Sequence, residues 1–290
     1  MSVSARLNRL FTPHGKCLQV ALDHGLANEP STLPGMENMN QVVSVVAAAN
    51  PDAIILTLGQ AHWLQDLAQK PKPALVLRAD AMNVYTLPTP KQVFCKFIDD
   101  AVEQAVALDA AAIVVNLFWS PEHPDLHRQC VENVVGFKPL CERYGMPLMV
   151  EPMALVPNEQ GGFKPISDIR KTVALARLAV ELGADIVKAD LDENIHEYHL
   201  VVEAASPRPL LPRGGARVPD REILTRTVTL LQQGASGVVY GRNVYQHPHP
   251  ERMVRACQAM VHEGATVEQA MAILESSGDR VKASGDPVIR

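Results

Sequence analysis

At 290 residues, with 47% hydrophobic and 20% charged side chains, the chain can bury one large core or two small ones, and no apolar run approaches the ~18 residues of a membrane span. A net charge of −5 without a basic stripe argues against nucleic acid as a partner. Residues 1–12 lack the continuous apolar stretch of a secretory signal, and the five cysteines are scattered without a C-x-x-C pair, which is how a reduced, cytoplasmic protein uses cysteine as a small apolar filler.

In chain order, short apolar runs alternate with longer helical patterns. The runs are 17–23, 53–58, 74–80, 111–117, 147–152, 184–189, 210–213 and 237–241, each rich in Val, Ile, Leu or Ala with polar residues at its C-terminal end. Parallel strands covered on both faces read this way, because only the mouth of the sheet meets water. Between them, 91–108 carries Val93, Phe97, Ala101, Val102 and Ala105 at helical spacing. Residues 168–182 have the same character and Gly183 ends them; 219–233 and 248–262 begin near a proline and end at Gly234 and Gly264. Eight strands, each followed by a helix, predict a (β/α)8 TIM barrel over about residues 15–264, with a doubly wound sheet disfavoured because no G-x-G-x-x-G follows the first strand. A capping box at Thr266 and Gln269 opens an additional C-terminal helix over 266–276, and 278–290 reads as a polar tail. The whole chain, 1–290, is expected to be one domain.

In such a barrel, chemistry sits at the C-terminal strand ends. There the sequence places Asp23, His24, Arg78, Asp80, Asn116, Glu151, Lys188, Asp190, Arg213 and Arg242. Lys188 lies in Ala-Asp-Ile-Val-Lys-Ala-Asp, sharing a strand face with Ala184 and Ile186, so it can point into the barrel. An amine in an apolar pocket loses solvation and becomes nucleophilic, as Schiff-base formation requires; a strand-end lysine paired with Asp190 or reaching solvent is the alternative. Asp23 shares a face with Gln19 and Ala21, and is either a proton relay near that lysine or an N-cap. Glu151 is a general acid or base if burial raises its pKa, or else an ion-pair partner of Lys188 or Arg78.

Two glycine–arginine loops carry an anion signal: Arg213-Gly214-Gly215-Ala216-Arg217 after the seventh strand and Gly241-Arg242-Asn243 after the eighth. Glycines let backbone N–H groups approach a ligand, arginines add charge-assisted hydrogen bonds, and this pair of loops is a recurrent phosphate site in the fold. Arg78 is a candidate reader of a second charged group. The histidine pairs His123/His127 and His196/His199 have metal-ligand spacing but sit outside the barrel without an evident carboxylate, so no metal or cofactor is expected; His24 is placed beside the chemistry rather than in it.

These pieces resemble the archaeal-type class I fructose-bisphosphate aldolase family, a group that includes deoxyribose-phosphate aldolase relatives and the thiolase that processes phosphorylated autoinducer-2. The likeness is carried by Val20–Gly25 (Val-Ala-Leu-Asp-His-Gly), Gly183–Lys188, Arg213–Arg217 and Gly234–Val244, in the family's order from first strand to last. The resemblance implies Lys188 as the Schiff-base lysine, Asp23 in the proton-transfer machinery, and Gly214, Gly215, Arg217, Gly241 and Arg242 as a phosphate cradle. It also implies metal-free, cytoplasmic homo-oligomers. One departure bears on substrate: the family's tyrosine near the end of strand five is replaced by Val150-Glu151-Pro152-Met153, which makes Glu151 the candidate proton donor, with Asp190 and Tyr85 as alternatives. Arg213 also stands where the family more usually has serine.

The expected activity is a class I lyase that makes or breaks a C–C bond in a phosphorylated ketose or keto acid. Acyl transfer by the same lysine, a non-catalytic sugar-phosphate sensor and a metal-dependent aldolase are the rivals.

Overall fold

The computed structural model describes residues 3–159, 161–166, 168–191 and 195–276; the polar tail expected over 278–290 lies outside them. Its strands are β1 (Cys17–Ala21), β2 (Ala53–Thr57), β3 (Ala74–Arg78), β4 (Asp80–Met82), β5 (Cys95–Phe97), β6 (Ala112–Trp119), β7 (Leu148–Pro157), β8 (Phe163–Pro165), β9 (Ile186–Ala189), β10 (Leu210–Pro212) and β11 (Gly237–Tyr240). Neighbours pair in parallel in the order β10, β9, β7, β6, β3, β2, β1, β11. The ring closes between its two ends, where Arg213 bridges to Val239 and the Gly214 N–H donates to the Val239 carbonyl at 3.1 Å. The predicted (β/α)8 barrel is therefore the fold.

Strand alternation sorts the core into two clusters. Ala21, Ile55, Val76, Val114, Met149, Ile186, Leu211 and Val239 pack with one another inside the barrel, joined by Leu10 of the N-terminal segment. Their strand neighbours, such as Val20, Ile54, Leu75, Ile113 and Val187, belong to a much larger cluster shared with the helices. Close contact between β11 and β1 requires glycine at 237: its φ is +136°, and a Cβ there would overlap the backbone of Cys17.

The helices start and stop where local chemistry directs. Asp168 accepts the Arg170 and Lys171 N–H groups at 3.0 and 3.4 Å, starting the helix Ile169–Glu181. Pro250–Glu263 begins with its proline and ends at Gly264, φ +70°. The capping box is formed: Thr266 Oγ1 accepts the Gln269 N–H at 3.3 Å, and the Gln269 side chain accepts the Thr266 N–H at 2.8 Å, opening Val267–Glu275. Thr266→Ala is expected to cost about 1 kcal/mol in a urea titration; a loss below a tenth of that would mean this helix adds nothing to the cooperative unit.

One expected helix is half a hairpin. Over 91–108, helix forms only at Ala101–Ala107, while 95–97 are β5, paired antiparallel with β4. The burial there alternates with period two, Val93 and Cys95 inward and Phe94 and Lys96 outward, a pattern the 3.6-residue reading of Val93, Phe97 and Ala101 overlooked. Among the described residues, no helix is long and apolar enough to cross a membrane.

Candidate active site

Each inward strand face turns from apolar to polar two residues beyond the core. Ala21 leads to Asp23, Val76 to Arg78, Val114 to Asn116, Met149 to Glu151, Ile186 to Lys188, and Leu211 to Arg213. The charged ring so formed is buried: Lys188 and Glu151 are 4% exposed, Arg78 5% and Asp23 8%. It forms the floor of a cavity of about 520 Å³ at the C-terminal mouth of the barrel.

Lys188 and Glu151 come together, with Nζ to Oε2 at 2.9 Å. The same Oε2 receives Arg78 Nη2 at 2.6 Å, while Arg78 Nε donates to Asp23 Oδ2 at 2.8 Å and Nη1 to Asp80 Oδ1 at 3.3 Å. Asp190, the alternative partner for the lysine, instead takes Arg213 Nε at 2.6 Å. The pocket around Lys188 is thus ionic rather than apolar. Asp23 makes no side-chain cap to the turn that follows it; its carboxylate is turned to Arg78, with His24 Nδ1 at 3.7 Å. The N-cap alternative for Asp23 is not what the fold uses.

Electrostatics follow from this crowding. Burial alone would push Glu151 up, but Lys188, Arg78 and Arg213 outweigh it and hold the carboxyl at about 2. Glu151 therefore rests as a carboxylate paired with both Lys188 and Arg78, the ion-pair alternative, and burial does not raise it into an acid. Burial would likewise raise Asp23, yet Arg78, Lys188 and His24 keep it well below the usual carboxylate range. Burial lowers His24 to about 4, so its ring is neutral near pH 7.

The two glycine–arginine loops contribute unequally. Arg213, Gly215, Ala216 and Arg242 line the cavity, and Arg242 Nε is buried without a hydrogen-bond partner among the described residues. Gly241 is required for another reason: a Cβ there would strike the His24 ring. Gly214 packs under Tyr240 and Asn243 and lends its N–H to barrel closure. Arg217 is exposed and donates to the Gln246 carbonyl at 2.6 Å, away from the cavity. Arg78, expected to face a substrate charge, has all three of its nitrogens engaged by carboxylates.

Sequence reasoning passed over Asn243, which accepts the Val218 N–H at 3.0 Å and donates to the Gly214 and Ala216 carbonyls at 3.1 and 3.2 Å, tying the loops together. Its place directly after Gly241-Arg242 was the available signal. Tyr85 lines the cavity too, its hydroxyl on Met153 Sδ at 3.0 Å and its pKa pushed up to about 12 by burial. His127 and His199 bond to the Phe118 carbonyl and to Gln233, and no three His, Cys, Asp or Glu side chains among the described residues are grouped to hold a metal ion.

Comparison with known proteins gives the chain's family and fold relatives. The family described as DeoC/LacD family aldolase matches residues 17–247. An uncharacterized aldolase of Saccharolobus solfataricus is 30% identical over 278 residues, covering 93% of this chain and 98% of its own. The 3-hydroxy-5-phosphonooxypentane-2,4-dione thiolase of Escherichia coli K12 is 29% identical over 269 residues, covering 92% and 85%. Among solved structures, a Schiff base forming fructose-1,6-bisphosphate aldolase superposes with a TM-score of 0.74 at 23% identity, over 90% of this chain and 100% of its own. A fructose-bisphosphate aldolase from Slackia heliotrinireducens gives 0.76 at 16%, over 92% and 87%. At such identities these two structures speak to the fold.

Proposed function

The chain belongs to the DeoC/LacD family of aldolases, and from that premise we propose that it is a class I lyase in which Lys188 forms a Schiff base with a phosphorylated ketose or keto acid. The observation that carries the reading is Lys188, a buried lysine lining the cavity 2.9 Å from a carboxylate, with Arg242 and Arg213 on the cavity wall. Asp23, Glu151 and Lys188 are the proposed catalytic groups; Arg242, Arg213 and the Gly215 backbone are the proposed phosphate contacts.

In the bond-breaking direction, the Lys188 ammonium first passes a proton to Glu151. That transfer eases itself, because Lys188 is the strongest of the charges holding Glu151 down. The amine adds to the substrate carbonyl, giving a carbinolamine, and loss of water leaves an iminium. The hydroxyl on the β-carbon gives its proton to a carboxylate, the C–C bond electrons move into the iminium, and an aldehyde departs. Protonation of the enamine and addition of water release the second product and the free lysine. The iminium is the electron sink, so the scheme calls for no metal. Phosphate bound on the arginine side fixes the reacting carbons over Lys188.

Borohydride trapping tests this directly. The purified protein is incubated with dihydroxyacetone phosphate, and then with a panel of phosphorylated ketoses, and is read by intact mass and peptide mapping. A reduced adduct on Lys188, absent from Lys188→Ala and unaffected by EDTA, is expected. No adduct with any ketone would reject the mechanism, and turnover that requires coenzyme A would move the reading to acyl transfer.

A further inference from the structure

We propose that Arg78 is a positioning residue: anchored by Asp80, its guanidinium clamps Asp23 and Glu151 into one arrangement around Lys188 and does not itself contact substrate. The inference rests on the Schiff-base reading above and deepens it.

Three carboxylates on three different segments meet this one side chain. Nε serves Asp23 after β1, Nη2 serves Glu151 on β7, and Nη1 serves Asp80 at the start of β4, at 2.8, 2.6 and 3.3 Å. A planar fork can reach three acceptors at once; a lysine ammonium of similar charge cannot span them. Arg78 is itself fixed from behind. Asp80 is fully buried and accepts the Asn116 N–H at 2.5 Å, the Asn116 amide at 3.1 Å and the Cys95 thiol at 3.3 Å. Strands β5 and β6 thus hold Asp80, Asp80 holds the guanidinium, and the guanidinium holds the two carboxylates that face the lysine. Without it Asp23 and Glu151 would repel each other beside Lys188.

The charges involved are few. Glu151 is faced by Lys188, Arg78, Arg213 and Asp23; Asp23 by Arg78, Lys188 and His24; Asp80 by Arg78 and Glu151. Removing the arginine fork from this set leaves both working carboxylates easier to protonate and free to turn.

Arg78→Lys and Asp80→Asn in the full chain test the clamp, read as the rate of borohydride trapping at Lys188 over a range of dihydroxyacetone phosphate concentrations. For Arg78→Lys the maximal rate is expected to fall ~100-fold, half-saturation to stay within ~3-fold, and the acid limb of the pH profile to move to higher pH. Asp80→Asn should lower the rate ~10-fold with half-saturation equally unmoved. Half-saturation raised tenfold or more, with the maximal rate and acid limb unchanged, would overturn the proposal and make Arg78 a reader of substrate. Should Arg78→Lys not fold, Asp80→Asn decides on the same split between rate and half-saturation.

The acid unfolding transition separates this inference from the Schiff-base reading, since it needs no substrate. Asp23 and Glu151 are both held low in the folded protein, so the stability they provide is lost as pH falls below their ordinary values. With Arg78→Lys the two carboxyls are less depressed in the folded protein, so the variant is expected to be less stable than wild type near neutral pH, by a margin that narrows on acidification below about 4.5. A margin that does not narrow on acidification overturns the clamp even where Lys188 is labelled; a narrowing one upholds it even where Lys188 is not.

Discussion

Lys188→Met is expected to lower kcat/KM for a cleavable phosphorylated ketose by at least ~10⁴-fold while changing folding stability by no more than about 1–2 kcal/mol. The two halves of that expectation come from the same geometry. The lysine supplies the only covalent step in the proposed reaction, and the other lysine lining the cavity among the described residues, Lys164, is exposed rather than buried beside the carboxylates. Structurally it is replaceable, because Glu151 retains Arg78 at 2.6 Å and Arg213 at 3.9 Å after the ammonium is gone. Methionine keeps most of the length of the side chain without its charge. A urea titration and a steady-state assay on the same preparation measure both. Retention of more than a tenth of wild-type kcat/KM would remove Lys188 as the nucleophile, and a loss of 4 kcal/mol or more would mean that the lysine is a pillar of the ion network instead.

The separation of roles also explains what the sequence could and could not convey. Barrel strands announce themselves because burial on both faces demands apolar residues at consecutive positions, and all eight runs from 17–23 to 237–241 became strands of the ring. Period-two alternation carried the inward face past the core to Asp23, Glu151 and Lys188. What alternation cannot convey is which mouth residue meets which, since that depends on where distant strands lie around the ring. Arg78 read as a reader of substrate charge or a partner of Glu151, and its bonds to Asp23 and Asp80 went unforeseen, because which of its carboxylates, 2, 55 and 73 positions away, meet it depends on strand placement around the ring. Asp190 read as a partner for Lys188 because it is two residues off, yet two residues along a strand share a face without turning toward each other, and Arg213, just past the end of neighbouring β10, takes it. The 91–108 stretch failed for a local reason: buried Val93 and exposed Phe97, four apart, mimic a helical stripe leading into Ala101 while the backbone there is a short hairpin.

Glu151→Gln should damage stability and rate together, and stability more than any other single change in the site. Glu151 is the carboxylate on which Lys188, Arg78 and Arg213 converge, so neutralising it leaves three buried cations facing one another with one anion fewer. A carboxyl moved from its ordinary 4.5 to about 2 by folding corresponds to roughly 3 kcal/mol of stability at neutral pH, the loss expected in the variant. The sign of its pH dependence is fixed by the direction of that shift. The folded value is depressed, so the contribution is complete above the unfolded value of 4.5 and disappears as pH falls towards 2. Wild type and Glu151→Gln should accordingly differ by a constant margin between about pH 6 and 8 and converge on acidification below pH 4.5. The rate should fall ~10³-fold, since the amide can neither take the lysine's proton nor return it. Urea midpoints across pH 3–8 and single-turnover trapping at pH 7 measure the two effects. A stability gap that widened on acidification would contradict a carboxylate held by cations, and an unaltered trapping rate would assign the proton transfer to Asp23 alone.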